Sequence, residues 1–226
     1  MENTKTVNYS AKQLRVVNHR LLLNQGDKVT LFEELPLGNT ASIDVEVELE
    51  GSKIIDFQIM DAKSFIYVTF EGLVGIYTYK GEKLETGHLT NFKGRCMALA
   101  ICGNKKNVVV STDDWTCIQK DLYWLILNRN KKLREIGKVP FKDTKCFWTI
   151  AFLDASNNDT PILYGVEHSG EHSIFSFYIE NDEIKQFSQP SENFHPPIDY
   201  VRHIIEADGF IWSVDNSGTI NRFNLV

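Results

Sequence analysis

The two histidines of "GVEHSGEHSIFSFY" (165–178) stand four apart, each preceded by a glutamate. Glu167, His168, Glu171 and His172 are residue types that ligate metals or move protons, so this segment is the first candidate for chemistry. A helix would set both imidazoles on one face. In extended chain, however, successive side chains point to opposite sides, so Glu167 diverges from His168 and Glu171 from His172. No third ligand stands nearby, and no metal site is expected. Acids suited to catalysis are equally sparse: Asp56 lies in "KIIDFQIM", and His203 and Glu206 lie in "VRHIIEA". The comparable stretches "CMALAIC" and "FWTIAFL" carry no carboxylate, so no converging acid pair of the glycosidase kind is evident. There is also no serine elbow, glycine-rich phosphate loop or C-x-x-C pair. The expectation is a protein without catalytic residues, cofactor or metal.

Charged and aromatic residues suited to recognition are more regularly placed. Lys53, Arg95, Lys145 and Arg202 each stand near the entry of an apolar run, and Glu71, Asp113, Asp114, Trp115 and Asp215 join the His/Glu cluster in polar turns. A ring of cations around an opening suits an acidic peptide or a phosphate. The chain as a whole is acidic, with 30 Asp and Glu against 24 Lys and Arg, which argues against a broad nucleic-acid or anionic-membrane footprint.

The elements that must position these residues read as strands. Short apolar runs rich in Val, Ile, Phe, Tyr and Trp, such as "FIYVTF", "NVVVST", "FWTIAFL" and "FIWSV", alternate with turn residues, and no stretch keeps a 3.6-residue period. A strand–turn–strand unit recurs from Leu21, Phe65, Val108, Ile162 and Phe210, at intervals of about 45 residues. The last four copies follow another apolar strand, and the first four precede a closing one. Four strands per repeat describe a small all-β propeller of about five blades, because packing such sheets radially buries both faces of each. The expected blades are 11–50, 51–87, 88–140, 141–190 and 191–226, the last lacking an outer strand. Residues 4–9, in "TKTVNYS", are expected to supply that strand and close the ring.

Within the third repeat, "GHLTNFKGRCMALAICGNKKNVVVSTDDWTCIQKDLYWLI" (87–126) resembles a WD40 repeat. It has Gly87-His88 ahead of the first strand, a "GNKKN" turn, a Ser-x-Asp closing the next strand and Trp124 further on. The resemblance implies a structural hydrogen-bonded tetrad of His88, Ser111, Asp113 (or Asp114) and Trp124, which would lock the sheet rather than catalyse. The other repeats lack the Gly-His, and none ends in Trp-Asp. In the resembling propellers, the turns between second and third strands share a face with the entries to the first strands. That face would gather Lys53, Arg95, Lys145, Arg202, Trp115, His168 and His172 for a partner.

Two segments stand outside the repeat pattern: "LDASNNDTP" (153–161), and "QPSENFHPPIDY" (189–200) with Phe194 and Tyr200. The cysteines Cys96, Cys102, Cys117 and Cys146 lack disulfide spacing, and the N-terminus has no apolar signal core or membrane-length run. A cytoplasmic or nuclear interaction module, binding a protein or peptide within a larger complex, is therefore the leading expectation. Two others stand beside it. One is a propeller enzyme or carbohydrate binder using Asp56, His203 and Glu206 at a channel mouth. The other is a subunit of an RNA-modifying or RNA-processing complex, with the four cations on phosphates.

Overall fold

A computed structural model describes residues 13–17, 20–24, 28–32, 45–48, 53–61, 63–102, 106–113, 120–128, 130, 132–141, 147–153, 162–167, 174–181, 183–186, 201–207, 210–215 and 217–223. Every element among them is a β-strand. The chain divides into two compact units, Met1–His88 and Leu89–Val226. The expected closing strand, 4–9, all of the segment 153–161 beyond Leu153, and the segment 189–200 lie outside the described residues.

The first unit holds two four-stranded antiparallel sheets. One is formed by β1 (Gln13–Val17), β2 (Arg20–Asn24), β3 (Lys28–Phe32) and β4 (Val45–Glu48). The other is formed by β5 (Ile54–Ile59), β6 (Ser64–Thr69), β7 (Leu73–Thr78) and β8 (Lys83–His88). Sequence order is spatial order in both. In the second sheet, β6 is buried along its whole length and β8 is largely exposed. Aromatic β6 and β7 thus sit inside, and the Lys and Glu of "KLETGH" at the rim. The core there is Ile54, Phe57, Phe65, Tyr67, Tyr77 and Tyr79. Tyr67 lies across Gly75, its cross-strand partner, so that a Cβ at Gly75 would overlap the ring.

The second unit contains β9 (Arg95–Ile101), β10 (Asn107–Asp113), β11 (Lys120–Leu127) and β12 (Leu133–Phe141) in one sheet. A second sheet comprises β13 (Phe147–Leu153), β14 (Ile162–Glu167), β15 (Ile174–Glu180) and β16 (Glu183–Gln186). A third comprises β17 (Val201–Ala207), β18 (Phe210–Asp215) and β19 (Ile220–Phe223), three strands among the described residues. The first strands β9, β13 and β17 lie side by side, and the sheets stack face to face. Ala98, Val109, Leu122 and Trp124 of the first sheet pack on Phe147, Ile150, Phe152, Phe175 and Phe177 of the second. The next interface joins Ala151, Tyr164 and Val166 to Val201, Ile204 and Ile211. A hydrogen bond spans it, from the Ile204 N–H to Thr149 Oγ1 at 3.3 Å.

Candidate functional site

Four inner strands share an irregularity. Each of β5, β9, β13 and β17 carries one extra residue close to its start. Ile54 pairs with Thr69 and Asp56 with Val68, leaving Ile55 as the insert. In the same way Met97 is inserted between Cys96 and Ala98, Trp148 between Phe147 and Thr149, and Arg202 between Val201 and His203. A β-bulge breaks the two-residue alternation and turns a side chain out of the sheet's regular faces. The residue before the bulge is buried in every case: Ile54, Cys96, Phe147 and Val201 are each 1–2% exposed. Each of these four strands therefore anchors its entry in the core and then spends one residue on a bend. Ile55 and Met97 are partly exposed there.

The turns at this end are built on a common plan. The Gly72 N–H donates to the Thr69 carbonyl and the Leu73 N–H to Thr69 Oγ1 at 3.2 Å. Likewise the Gly218 N–H donates to the Asp215 carbonyl and the Thr219 N–H to Asp215 Oδ1 at 2.8 Å. The fourth residue takes φ of 81° in one turn and 82° in the other, which favours glycine. A side-chain oxygen at the first position thus closes the turn from within. By register Glu167 stands where Thr69 and Asp215 stand, since it pairs with Phe147 as they pair with Ile54 and Val201. Glu71 lies two residues further into its turn.

The cations do not share one position. Lys53 and Arg95 each directly precede the first buried residue of their strand, whereas Arg202 is the bulge residue itself. Both described cation side chains are also engaged inside their own sheet. The Lys53 ammonium lies 5.5 Å from the centre of the Phe70 ring, and Arg95 pairs with Asp113 Oδ2 at 3.1 Å. Asp113 is 4% exposed in that pair and Arg95 34%, so the guanidinium keeps a buried carboxylate partnered while its own edge reaches water. Lys145, Trp115, His168 and His172 lie outside the described residues.

Of the four tetrad residues, Trp124 and Asp113 hold partners outside the set; Asp114 lies outside the described residues. The Trp124 indole N–H donates to Asn107 Oδ1 at 3.1 Å, both residues being buried. Asn107 and Ser111 flank Val109, the residue opposite Trp124, on one face of β10. The ring turns toward Asn107 and sets its edge against Phe152, with centroids 5.6 Å apart. Ser111 Oγ and Asp113 Oδ1 are buried without a hydrogen-bond partner among the described residues. His88 is exposed at the end of β8. Asn107 is the last residue of the "GNKKN" turn, and its amide is what the tetrad reading missed.

Close to Arg95–Asp113, Thr112 Oγ1 donates to the Asp121 carbonyl at 3.1 Å and Asp121 itself is buried. The neighbouring Tyr123 hydroxyl is pushed well above the ordinary tyrosine range, first by burial and then by the carboxylates of Asp121 and Glu135. Asp56 is 6% exposed and its Oδ1 accepts the Phe57 N–H at 2.8 Å. His203 is exposed on β17, and the Glu206 side chain lies outside the described residues.

No protein-family model and no curated protein matches the sequence. Solved structures do match. A chain of the "Crystal Structure of Mitotic Checkpoint Complex" superposes with a TM-score of 0.69 at 8% identity, over 95% of this chain and 63% of that one. The "WD40 beta propeller domain of Doa1" superposes with a TM-score of 0.59 at 8% identity, over 93% and 62%. The fold is that of the WD40 propellers. At 8% identity the likeness extends to the fold alone, and the chain spans about three fifths of each neighbour's length.

Proposed function

We propose that the chain is a non-catalytic interaction module that docks a partner protein at the bulged entries of its inner strands. The observation that carries this reading is the recurrence of the bulge at one register position in β5, β9, β13 and β17. A bulge weakens strand pairing locally, so four at one register position point to a use for the inserted residues. In the second unit the inserted residues are Met97, Trp148 and Arg202, on three strands that lie side by side. A thioether, an indole and a guanidinium match the composition of binding hot spots. The complementary ligand is an extended peptide with an apolar anchor next to an acid.

Lys53 and Arg95 then act mainly by holding the strand entries, while Arg202, Lys145, Trp115, His168 and His172 are the flanking recognition groups. Membership of the first structural neighbour in a checkpoint complex fits a fold that works by assembly. The test is partner recovery with Met97→Asp and Trp148→Ala chains of unchanged thermal midpoint. The expected loss is tenfold or more for each, the scale of a buried aromatic anchor. Full recovery with both variants overturns the reading.

A further inference from the structure

At the end of the β9–β12 sheet away from the bulge in β9, two connections meet. The Leu127 N–H donates to the Lys106 carbonyl at 2.7 Å, which ties the β9–β10 connection to the start of the β11–β12 hairpin. Asn107, Ile126 and Arg134 form the adjoining row across β10, β11 and β12. Lys106, Lys132 and Arg134 are all exposed there. Lys106 and Lys132 stand on strand lines two spacings apart, about 10 Å. The sequence adds Lys105 to the first connection and Arg129 and Lys131 to the second, and neither connection, 102–106 or 128–132, contains an acid.

The hairpin is closed from within. The Asn128 N–H donates to the Lys132 carbonyl at 3.0 Å, and Asn128 Oδ1 accepts the N–H groups of Asn130 at 2.9 Å and Lys132 at 3.0 Å. Lys132 is therefore held at a defined place in the turn. Glu135, the next acid along β12, is engaged by the Thr90 N–H at 3.0 Å. The matching hairpin of the next sheet has the opposite sign: Glu180 pairs with Glu183 across Asn181 and Asp182. The connection between β13 and β14 carries Asp154 and Asp159, and that between β17 and β18 carries Asp208. Like charges gathered this closely repel and lower the stability of the folded chain. The fold gains nothing from the cluster, whereas an anionic ligand does.

We infer that this basic end of the β9–β12 sheet binds a short acidic segment of a partner protein, a run of Asp and Glu whose carboxylates meet Lys106, Lys132 and Arg134. Two observations select that ligand. The acids in the connections of the next two sheets confine the positive surface to one sheet. A polyanion long or flat enough to extend past it, such as a nucleic-acid duplex or an anionic membrane, meets repulsion there. Neither basic connection contains an aromatic residue on which an unpaired base would stack. A short run of carboxylates is matched by the cluster without reaching those acids. The surface lies at the opposite end of β9 from its bulged entry, so this inference and the proposed docking site can fail independently.

Three measurements on the full chain test it. Acetylation of the purified protein, mapped by mass spectrometry, should modify Lys106 and Lys132 as readily as Lys80, which is exposed after β7. Protection of either lysine in the chain alone means that the cluster is already covered and overturns the inference. A fluorescent peptide of about eight glutamates should then bind, more weakly as salt rises, and protect Lys106 and Lys132 but not Lys80. The chain carrying Lys106→Glu, Lys132→Glu and Arg134→Glu should bind it at least tenfold more weakly. Lys132→Gln with Arg134→Gln should weaken it at least threefold, which keeps the test open if the triple reversal misfolds. The Gln variant should keep its thermal midpoint within about 2 °C of wild type or raise it, because repulsion is relieved. A fall beyond about 4 °C makes the cations structural and overturns the inference. So does absence of binding, equal protection of Lys80, affinity unchanged in the folded variants, or tighter binding of an RNA duplex or a phosphatidylserine vesicle than of the peptide.

Discussion

Trp124 and Asn107 show how much a single side chain decides. An indole N–H inside a sheet stack must find an acceptor, and Asn107 Oδ1 supplies it at 3.1 Å. Asn107→Ala leaves that donor buried and unsatisfied, with an expected loss of about 1–3 kcal/mol in denaturant unfolding. Ser111→Ala is expected to cost less than about 1 kcal/mol, because its hydroxyl holds no bond among the described residues. Had Ser111 been the tryptophan's acceptor, the order would be reversed. Tyr123 predicts a pH dependence. Its phenol keeps its proton in the folded chain above pH 10, where an ordinary tyrosine with a pKa of 10.0 loses it on unfolding. The unfolded state then binds fewer protons, so stability falls as pH rises beyond about 10. Tyr164, raised by burial, adds to the same limb. Tyr123→Phe should flatten the alkaline fall measured by urea unfolding at pH 8 to 11. These contacts were only partly legible in the sequence. Trp124 was visible as a structural residue, but which of two polar residues flanking Val109 its ring would face depends on rotamer and stacking on Phe152.

At the scale of elements, hairpins and bulges set the positions of everything else. Strands were readable because Val, Ile, Phe and Tyr cluster between turn residues, and the turns because glycine recurs at positive φ. The bulges were not. An inserted residue changes neither composition nor run length, and Met97 reads like any other residue of "CMALAIC". The same blindness affected the cations, which sit near equivalent places in sequence yet occupy different register positions once the bulge is counted. Two substitutions test the element-level account. Gly75→Ala forces the Tyr67 ring aside and should cost about 1–3 kcal/mol by thermal or denaturant unfolding. Asp215→Ala removes the acceptor that holds the Thr219 N–H and should cost about 1 kcal/mol, whereas Asp215→Asn, which keeps an oxygen there, should retain most of the stability.

At the scale of the whole molecule, repetition made the fold legible. A sheet with two apolar faces demands neighbours, and a period of about 45 residues supplies them in order. The "GVEHSGEHSIFSFY" segment, which alone suggests a His/Glu site, becomes in that frame a strand-to-strand corner whose Glu167 matches Thr69 and Asp215 in register. Function was less legible because the proposed docking site rests on a few residues inserted at strand entries rather than on a chemical motif. The central claim concerns those residues, and the direct measurement is quantitative partner recovery with Met97→Asp and Trp148→Ala chains, set against thermal midpoints of the same proteins. The account predicts tenfold or greater loss of the partner with midpoints within about 2 °C of wild type. Undiminished recovery by both folded variants would contradict it.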